Sequence, residues 1–226
     1  MSRYVKEEIK CPKCGEQGHY DRWASVNADL DPELREKIFN EELFMWQCSH
    51  CGAKALIPYD VLYHNMKQKL MIFFTYQEPR EGKYKPLDIT TLPIHDGYTM
   101  RRVFGLYRFK EKIAMLEDGL NDIAVEILKY RLKYIARPEF GEKNYELFYM
   151  CTYHLDKNGK KVECIEFYYR DENDQAQTIS VGKDAYDEIA QMCEADITLQ
   201  VQDCRCVDEG AVEMMFGEDL SAGKGG

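Results

Sequence analysis

Residues 11–15 read Cys-Pro-Lys-Cys-Gly and residues 48–52 read Cys-Ser-His-Cys-Gly, so the motif C-x-x-C-G occurs twice. Each copy can form a tight turn, or knuckle, whose two thiolates point at one metal ion, and the glycine supplies the permissive backbone that the turn needs. Two knuckles complete four sulfur ligands with no open position, which is typical of a structural zinc site. The sequence therefore predicts one structural zinc ion bound by Cys11, Cys14, Cys48 and Cys51.

Other uses of the nine cysteines stay open at this level. A redox dithiol also has the spacing C-x-x-C, although it normally stands alone at a strand-to-helix turn. Iron also accepts four thiolates. Three further cysteines, Cys193, Cys204 and Cys206, offer a second soft-metal site, but their spacing is poor for one. The other two, Cys151 and Cys164, are interpreted as small buried residues in strands.

The composition indicates a soluble globular chain, with 45% hydrophobic residues and 12% aromatic residues in 226, and a mean hydropathy of −0.54. Residues 1–10 lack the apolar core of a signal peptide, and the longest apolar run, residues 70–76, is too short to span a bilayer. We therefore expect a cytoplasmic protein without membrane contact, whose cysteines are thiols or metal ligands rather than disulfides.

The formal net charge of −10 makes nucleic acid an unlikely partner, because such binding gains affinity from Lys and Arg that neutralise phosphates. Residues 101–137 are locally basic, with nine Lys and Arg against five acids. Residues 183–226 carry eleven acids against three basic residues, so attraction between the two regions is a second use of these charges. We favour ordinary solvated helix faces as the interpretation of the basic region.

Local patterns predict the elements near the knuckles. Asp31 before Pro32 is a helix start signal, because aspartate accepts backbone hydrogen bonds at the N-cap and proline loses none at the first helical position. This helix is expected to end near Asn40. Strands are expected at residues 18–27, 43–47 and 53–57.

An apolar stripe at helical spacing runs from Leu106 to Tyr134, and Gly119 interrupts it. Because Asn121 or Asp122 can cap a restarted helix, we predict two packed helices rather than one coiled coil. The second, around residues 123–135, is apolar on two faces, so we expect it at an interface between modules or between two subunits. Beyond it, two strands at residues 144–154 and 161–170 are expected to form a hairpin with an Asn-Gly turn. A third strand is expected at residues 177–181 and a helix at 183–194.

The first third of the chain resembles the CpXC-domain proteins of bacteria and archaea, a family of uncharacterised function. The resemblance covers about residues 8–76, with departures at Ser49, which replaces the proline of the first motif, and at Asn65, where an aspartate is expected. It implies a metal-binding domain. Besides the knuckles it rests on Trp23, Val26-Asn27, the Asp31-Pro-Glu-Leu34 helix start, Phe44, Pro58-Tyr59 and Leu62-Tyr63-His64.

The predicted fold class is α+β: an N-terminal zinc-ribbon-like antiparallel sheet with an inserted short helix, a helical pair, and a C-terminal β-hairpin and helix module. The predicted domains are a zinc-ribbon-like CpXC domain at 1–80, a linker at 81–97, a helical and α+β domain at 98–200, and an acidic, partly disordered tail at 201–226. Residues 77–97 mark the boundary because they contain three prolines and two glycines without periodicity.

Three classes of function fit this sequence. We favour a protein-interaction or scaffold module with a structural zinc, and a protein partner or a homodimer, over a nucleic-acid-associated zinc ribbon. The third class, an enzyme, would have its site near Tyr63 and His64, although no nucleophile or second base is identifiable beside His64. A structural hydrogen bond is the expected role of His64, and His50 is expected to be exposed because four cysteines complete the metal shell.

Overall fold

The structure is a computed structural model, and it describes residues 1–76, 97–137, 140, 142–143, 145–157, 159–195 and 206–212. The chain divides into two compact units, Met1–Lys110 and Glu111–Gly226. Both contain helices and strands, so the predicted α+β fold class is confirmed.

The first unit is built on a five-stranded sheet of order β1-β2-β5-β6-β7, with a separate two-stranded ribbon, β3-β4. The sheet is mixed, because β1–β2 and β5–β6 are antiparallel whereas β2–β5 and β6–β7 are parallel. The elements are β1 (Arg3–Lys10), β2 (Gln17–Asn27), α1 (Pro32–Phe39), β3 (Met45–Gln47), β4 (Lys54–Leu56), β5 (Val61–Asn65), β6 (Leu70–Thr75) and β7 (Thr99–Phe104).

The predicted helix start is correct, because α1 begins at Pro32. The Asp31 side chain, however, makes no capping hydrogen bond, and its carboxylate instead accepts one from the backbone of Ser2 at 3.3 Å. Of the predicted strand at residues 43–47, only β3 is extended, since Glu42–Phe44 form a 3-10 turn.

The domain boundaries differ from the prediction at two places. Strand β7 lies in the region assigned to the second domain, yet it pairs with β6 from Leu70↔Thr99 to Thr75↔Phe104 and so belongs to the first sheet. In the predicted acidic, partly disordered tail at 201–226, residues 206–212 are described, and Val207 and Val212 are buried in the second unit. Residues 77–96, most of the predicted linker, lie outside the described residues.

Asn27 organises the turn that leaves β2. Its side-chain oxygen accepts hydrogen bonds from the backbone N–H groups of Asp29 and Leu30, both at 3.1 Å. The Asp29 carboxylate then accepts hydrogen bonds from Met66 and Lys67, which lie in the turn between β5 and β6. Short polar side chains of this kind replace backbone partners in turns. Asn27, one of the residues on which the resemblance to the CpXC-domain proteins rests, therefore has a structural role in this turn.

The second unit contains a three-stranded antiparallel sheet of order β10-β9-β8. None of the described helices is long and apolar enough to cross a membrane. Helix α2 begins within the first unit at Leu106, and a π-helical turn at Leu132–Ala136 extends α3. The elements are α2 (Leu106–Glu117), α3 (Asp122–Arg131), β8 (Phe148–Lys157), β9 (Lys160–Arg170), β10 (Ala176–Gly182) and α4 (Lys183–Ala195).

The predicted break between the two helices is confirmed. Gly119 adopts φ +76°, which favours glycine, and the Asn121 side chain accepts hydrogen bonds from Ile123 and Ala124 at the start of α3. Every residue of α3 from Asp122 to Lys129 is buried within the single chain. A second subunit is therefore not needed to cover this helix, and its role at an interface stays a prediction.

Replacing Asn121 by alanine is expected to lower the free energy of unfolding by about 1 kcal/mol, because two backbone N–H groups lose their acceptor. Chemical denaturation monitored by circular dichroism measures the change. Asn173→Ala, in the exposed turn before β10, is the matched control and should change stability by less than about 0.5 kcal/mol. Equal effects for both variants would contradict the capping role.

Candidate metal centre

The two knuckles have the same backbone hydrogen bonds. In the first, Gly15 N–H donates to the Cys11 carbonyl at 2.9 Å; in the second, Gly52 N–H donates to the Cys48 carbonyl at 2.9 Å. Gly15 and Gly52 adopt φ +76° and +69°, the left-handed region that favours glycine. The two C-x-x-C-G motifs therefore form matching turns.

The four cysteine sulfurs meet in one place. Cys11 Sγ lies 3.7 Å from Cys51 Sγ, Cys14 Sγ lies 3.8 Å from Cys48 Sγ, and all four lie within 4.8 Å of one another. A tetrahedral zinc ion with bonds of about 2.3 Å to sulfur holds its ligands roughly 3.8 Å apart. The donor set and its spacing therefore fit one tetrahedrally bound metal ion.

The two thiols of the first knuckle have pKa values that are shifted in opposite directions. The backbone N–H of Cys14 donates toward the Cys11 thiolate, and it is the main reason why the pKa of Cys11 falls to about 6. The pKa of Cys14 rises to about 12: a backbone hydrogen bond from Glu16 lowers it, but partial desolvation by the surrounding atoms and the neighbouring thiols of Cys51, Cys11 and Cys48 outweigh that bond. A metal ion binds cysteine as the thiolate, so a bound cation would favour the deprotonated form of its ligands.

One side of the cluster packs on a small hydrophobic core. Cys11 and Cys48 are buried, whereas Cys14 is exposed. Trp46 of β3 packs with these two cysteines, and its indole N–H donates to the His19 carbonyl of β2 at 3.1 Å. The cysteine cluster and Trp46 together therefore tie the β3-β4 ribbon to the start of β2.

Gly18 gives the Trp46 indole its room, because a Cβ atom at position 18 would lie 3.0 Å from Trp46 Cζ2. Gly18→Ala is therefore expected to destabilise the first unit by about 1–3 kcal/mol. Both tryptophans, Trp23 and Trp46, lie in the first unit, so tryptophan fluorescence during denaturation reports on that unit. Glu33→Ala, at an exposed position of α1 in the same unit, is the control. An unchanged midpoint for Gly18→Ala would refute the packing role.

The structure places the other two candidate binding residues, Tyr63 and His64, on opposite faces of one strand. Tyr63 is fully buried and faces the opposite side of β5 from His64, which is half-buried. His64 Nε2 lies 3.3 Å from the Tyr98 hydroxyl. A cavity of about 350 Å³ in the first unit is lined by neither Tyr63 nor His64, but by residues of β2, β3 and the turn before β3, together with Lys6, Lys37 and Tyr59. His50 is exposed, as predicted.

The predicted second soft-metal site is only partly described. Cys204 lies outside the described residues, and Cys193 is buried in α4. Among the residues that the structure describes, neither Cys193 nor Cys206 belongs to a cluster of metal-ligating side chains. Cys164 is buried in β9, as expected for a small apolar residue, and Cys151 is half-buried in β8.

The second unit contains a group of buried charges that the sequence did not reveal. We call it the buried ionic cluster, and none of its side chains is more than 6% exposed. Lys129 Nζ lies 3.0 Å from Glu111 Oε1 and 2.9 Å from Glu126 Oε2, and Lys112 Nζ lies 3.1 Å from Asp122 Oδ2. Its members are Glu111, Lys112, Asp122, Glu126 and Lys129.

The cluster corrects the interpretation of the basic region as solvated helix faces. Four of the nine basic residues in the region 101–137 are buried, namely Arg101, Lys112, Lys129 and Lys133. Lys133 pairs with Glu209 as well. Lysine is almost never fully buried unless it is paired, and although Glu126 is only three residues from Lys129, the partners Asp122, Glu111 and Glu209 lie 10 or more residues from the lysines that they bind.

Three carboxylates face two ammonium groups in the cluster, and burial, the largest effect, raises the pKa of Glu126 to about 7. A carboxyl group whose pKa is higher in the folded than in the unfolded state destabilises the fold progressively as pH rises from its ordinary value near 4.5 to about 7.

Glu126→Gln removes this titration. The stability of the wild type relative to Glu126→Gln is expected to fall by up to about 3 kcal/mol between pH 5 and 8. Urea denaturation across that pH range measures the difference, with Glu172→Gln, an exposed carboxyl, as the control. A difference independent of pH would contradict the raised pKa.

Comparison with known proteins agrees with the geometry. A sequence model of the family described as CpXC protein matches residues 9–129, more than half of the chain. No match was found among curated proteins or among solved structures. The match includes both knuckles and extends well past the predicted resemblance over residues 8–76, through α2 and most of α3. The chain therefore belongs to the CpXC protein family.

Proposed function

We propose that this chain is a zinc-binding protein in which Cys11, Cys14, Cys48 and Cys51 hold one structural Zn²⁺, and that it acts as a protein-interaction or scaffold module in the cytoplasm. The observation that carries the zinc assignment is the set of four sulfurs at 3.7–4.8 Å spacing. Four thiolates fill a tetrahedral shell and leave no position for a substrate or an activated water. The ion would therefore hold the fold together rather than perform chemistry.

Two observations support the interaction role over the alternatives. The buried lysines at positions 112, 129 and 133 face carboxylates, so they do not contribute to a surface that neutralises phosphates. Tyr63 is fully buried, so its hydroxyl is not offered to a substrate. A cytoplasmic location agrees with metal binding by reduced thiols.

Elemental analysis of protein purified without chelator tests the metal. We expect close to one equivalent of zinc per chain, little iron, and four thiols that react with a thiol reagent only after metal removal or unfolding. Stoichiometric iron with visible absorption would replace zinc by an iron centre. Less than half an equivalent of any metal, with all four thiols reactive in the folded state, would refute the metal site.

Affinity capture from the native cell tests the interaction role. The bait is the full chain, and the matched control is the chain with Cys48→Ser, which retains the sequence of the second unit. We expect a protein partner, or the chain itself, to be enriched by the wild type. A nucleic acid or metabolite that co-purifies stoichiometrically without an enriched protein would favour the corresponding alternative.

A further inference from the structure

Strand β1 is an open edge of the five-stranded sheet. It runs for eight residues, Arg3–Lys10, contains no proline, and pairs on one side with β2. Among the described residues, no strand covers its other side. Tyr4 and Val5 are 50% and 46% exposed. Long uncovered edges of this kind are templates for pairing with another strand.

One hydrogen bond shows which backbone groups of β1 bond to β2 and which point outward from the sheet. Cys11 N–H donates to the Glu16 carbonyl at 2.8 Å and continues the β1–β2 ladder, in which Ile9 faces Gly18. Because the direction of backbone groups alternates along a strand, odd-numbered residues of β1 bond to β2. The outward N–H and C=O groups belong to Tyr4, Lys6, Glu8 and Lys10.

The opposite side of β2 agrees with this assignment. The carbonyl of His19 accepts a hydrogen bond from the Trp46 indole and that of Asp21 accepts one from the Tyr59 hydroxyl, at 3.1 and 3.4 Å. The backbone carbonyls of odd-numbered residues in this part of β2 therefore point away from β1. The backbone groups of the even-numbered residues point toward β1, as the hydrogen bond to the Glu16 carbonyl requires.

The geometry points to a second copy of this chain as the occupant of the edge, paired antiparallel to β1 about a twofold axis at Glu7. In the hydrogen-bonded pairs of such a ladder, both residues must point their backbone N–H and C=O groups outward, so even-numbered residues pair with even-numbered ones and odd-numbered residues form the non-hydrogen-bonded pairs between them. The register centred on Glu7 sets Lys6 opposite Glu8 of the second copy, twice. Registers centred on Lys6 or on Glu8 set like charges opposite each other.

The same register matches the remaining side chains. Val5 lies opposite Ile9 of the second copy, and Tyr4 lies opposite Lys10, so an apolar contact and a contact between a cation and an aromatic ring each occur twice. Within the described part of the chain, neither Lys6 nor Glu8 forms an ion pair of its own. Their charges are therefore available to the second copy.

In this register, Glu7 lies opposite Glu7 of the second copy at the twofold axis. Its carboxylate is already bound by Arg22 and by the Tyr20 hydroxyl of the same chain. Both groups lie on β2 and draw the Glu7 side chain toward that strand, and the Arg22 guanidinium offsets its charge. The like-charge contact at the axis is thereby weakened, whereas the two Lys6–Glu8 contacts keep their full attraction.

This pairing rests on the proposed interaction role and names its partner. The β1 pairing and the proposed zinc-binding role can fail separately, because the metal content and the molar mass of the protein in solution are measured independently. Sedimentation of the full, metal-loaded chain at concentrations up to about 100 μM is expected to show a monomer–dimer equilibrium. A chain that stays monomeric while carrying one equivalent of zinc would overturn the pairing and leave the metal site intact.

A charge exchange tests the register. Lys6→Glu and Glu8→Lys each turn two attractive contacts into repulsive ones, so each is expected to raise the dimer dissociation constant roughly tenfold to hundredfold. The double variant restores opposite charges and should return it to within about threefold of the wild type. Glu33→Lys, the same charge change on exposed α1, is the control and should leave it unchanged.

Unchanged zinc content and tryptophan emission show that each variant is folded. A dimer that is unaffected by the single variants, or a double variant that stays monomeric, would overturn this register.

A proline exchange tests the backbone. Glu8→Pro removes an outward N–H and leaves the β1–β2 hydrogen bonds in place, since proline is tolerated where the N–H faces away from the sheet. We expect a folded, zinc-loaded monomer. A Glu8→Pro chain that folds and still dimerises as the wild type does would show that this edge is not the interface.

Discussion

Replacing Cys48 by serine is expected to unfold the first unit and to abolish metal binding. Cys48 is buried, and its sulfur lies 3.8 Å from Cys14 Sγ. Structural zinc contributes about 10–16 kcal/mol in small metal-binding peptides near neutral pH, which matches or exceeds the usual stability of about 5–15 kcal/mol for a whole domain. Tryptophan emission should shift to that of an exposed indole, because Trp46 packs on Cys48 and Cys11.

The matched control is Cys151→Ser, which changes a half-buried thiol that lies outside the metal cluster. This variant should keep one equivalent of zinc and the wild-type emission spectrum. A strong chelator added to the wild type should reproduce the Cys48→Ser spectrum. Native emission and full metal content in Cys48→Ser would contradict a structural four-cysteine site.

Replacing Lys129 by methionine is expected to lower the free energy of unfolding by about 3–5 kcal/mol, because the Glu111 and Glu126 carboxylates would lose their shared cation in a buried site. Burial alone would lower the pKa of Lys129, but these two carboxylates raise it above its usual range, so the lysine is charged. Methionine keeps an unbranched side chain that is one heavy atom shorter than lysine, and it removes the ammonium group with its charge and its hydrogen bonds.

Lys143→Met is the control, because its pair with Glu172 is largely exposed and such pairs contribute at most about 1 kcal/mol. Chemical denaturation followed by circular dichroism gives both values, and hydrogen exchange in α3 locates the loss. A loss below about 1 kcal/mol for Lys129→Met would mean that the cluster relaxes or admits water. Adding Glu126→Gln should recover part of the loss, since it removes one uncompensated carboxylate.

The interactions that sequence analysis identified correctly act over short stretches of chain. The C-x-x-C-G turns, the Asn121 cap and the hairpin of β8 and β9 all depend on residues within a few positions of one another. Backbone conformation and local hydrogen bonding decide such features. The pairing of the two knuckles followed as well, because two half-sites need each other to complete one metal shell.

Strands β1 and β7 illustrate what short-range patterns miss. β1 is exposed on most of its length, so its sequence RYVKEEIK has no apolar face that would mark it as a strand. β7 follows a segment rich in proline and glycine, and only its parallel pairing with β6 assigns it to the first sheet. Parallel partners are joined by long connections, so no local signal fixes them.

The sequence by itself determined the donor set of the candidate metal centre, because four cysteines in two tight turns supply one complete tetrahedral set of sulfur ligands. Only the tertiary structure decided the fate of the lysines at positions 112, 129 and 133, which the sequence presents as surface charge and the fold buries against carboxylates. The physical reason is that a charge is stable in the interior only beside its counter-charge. For Lys129 and Glu111, that partner is 18 residues away in sequence, and folding alone brings the two together.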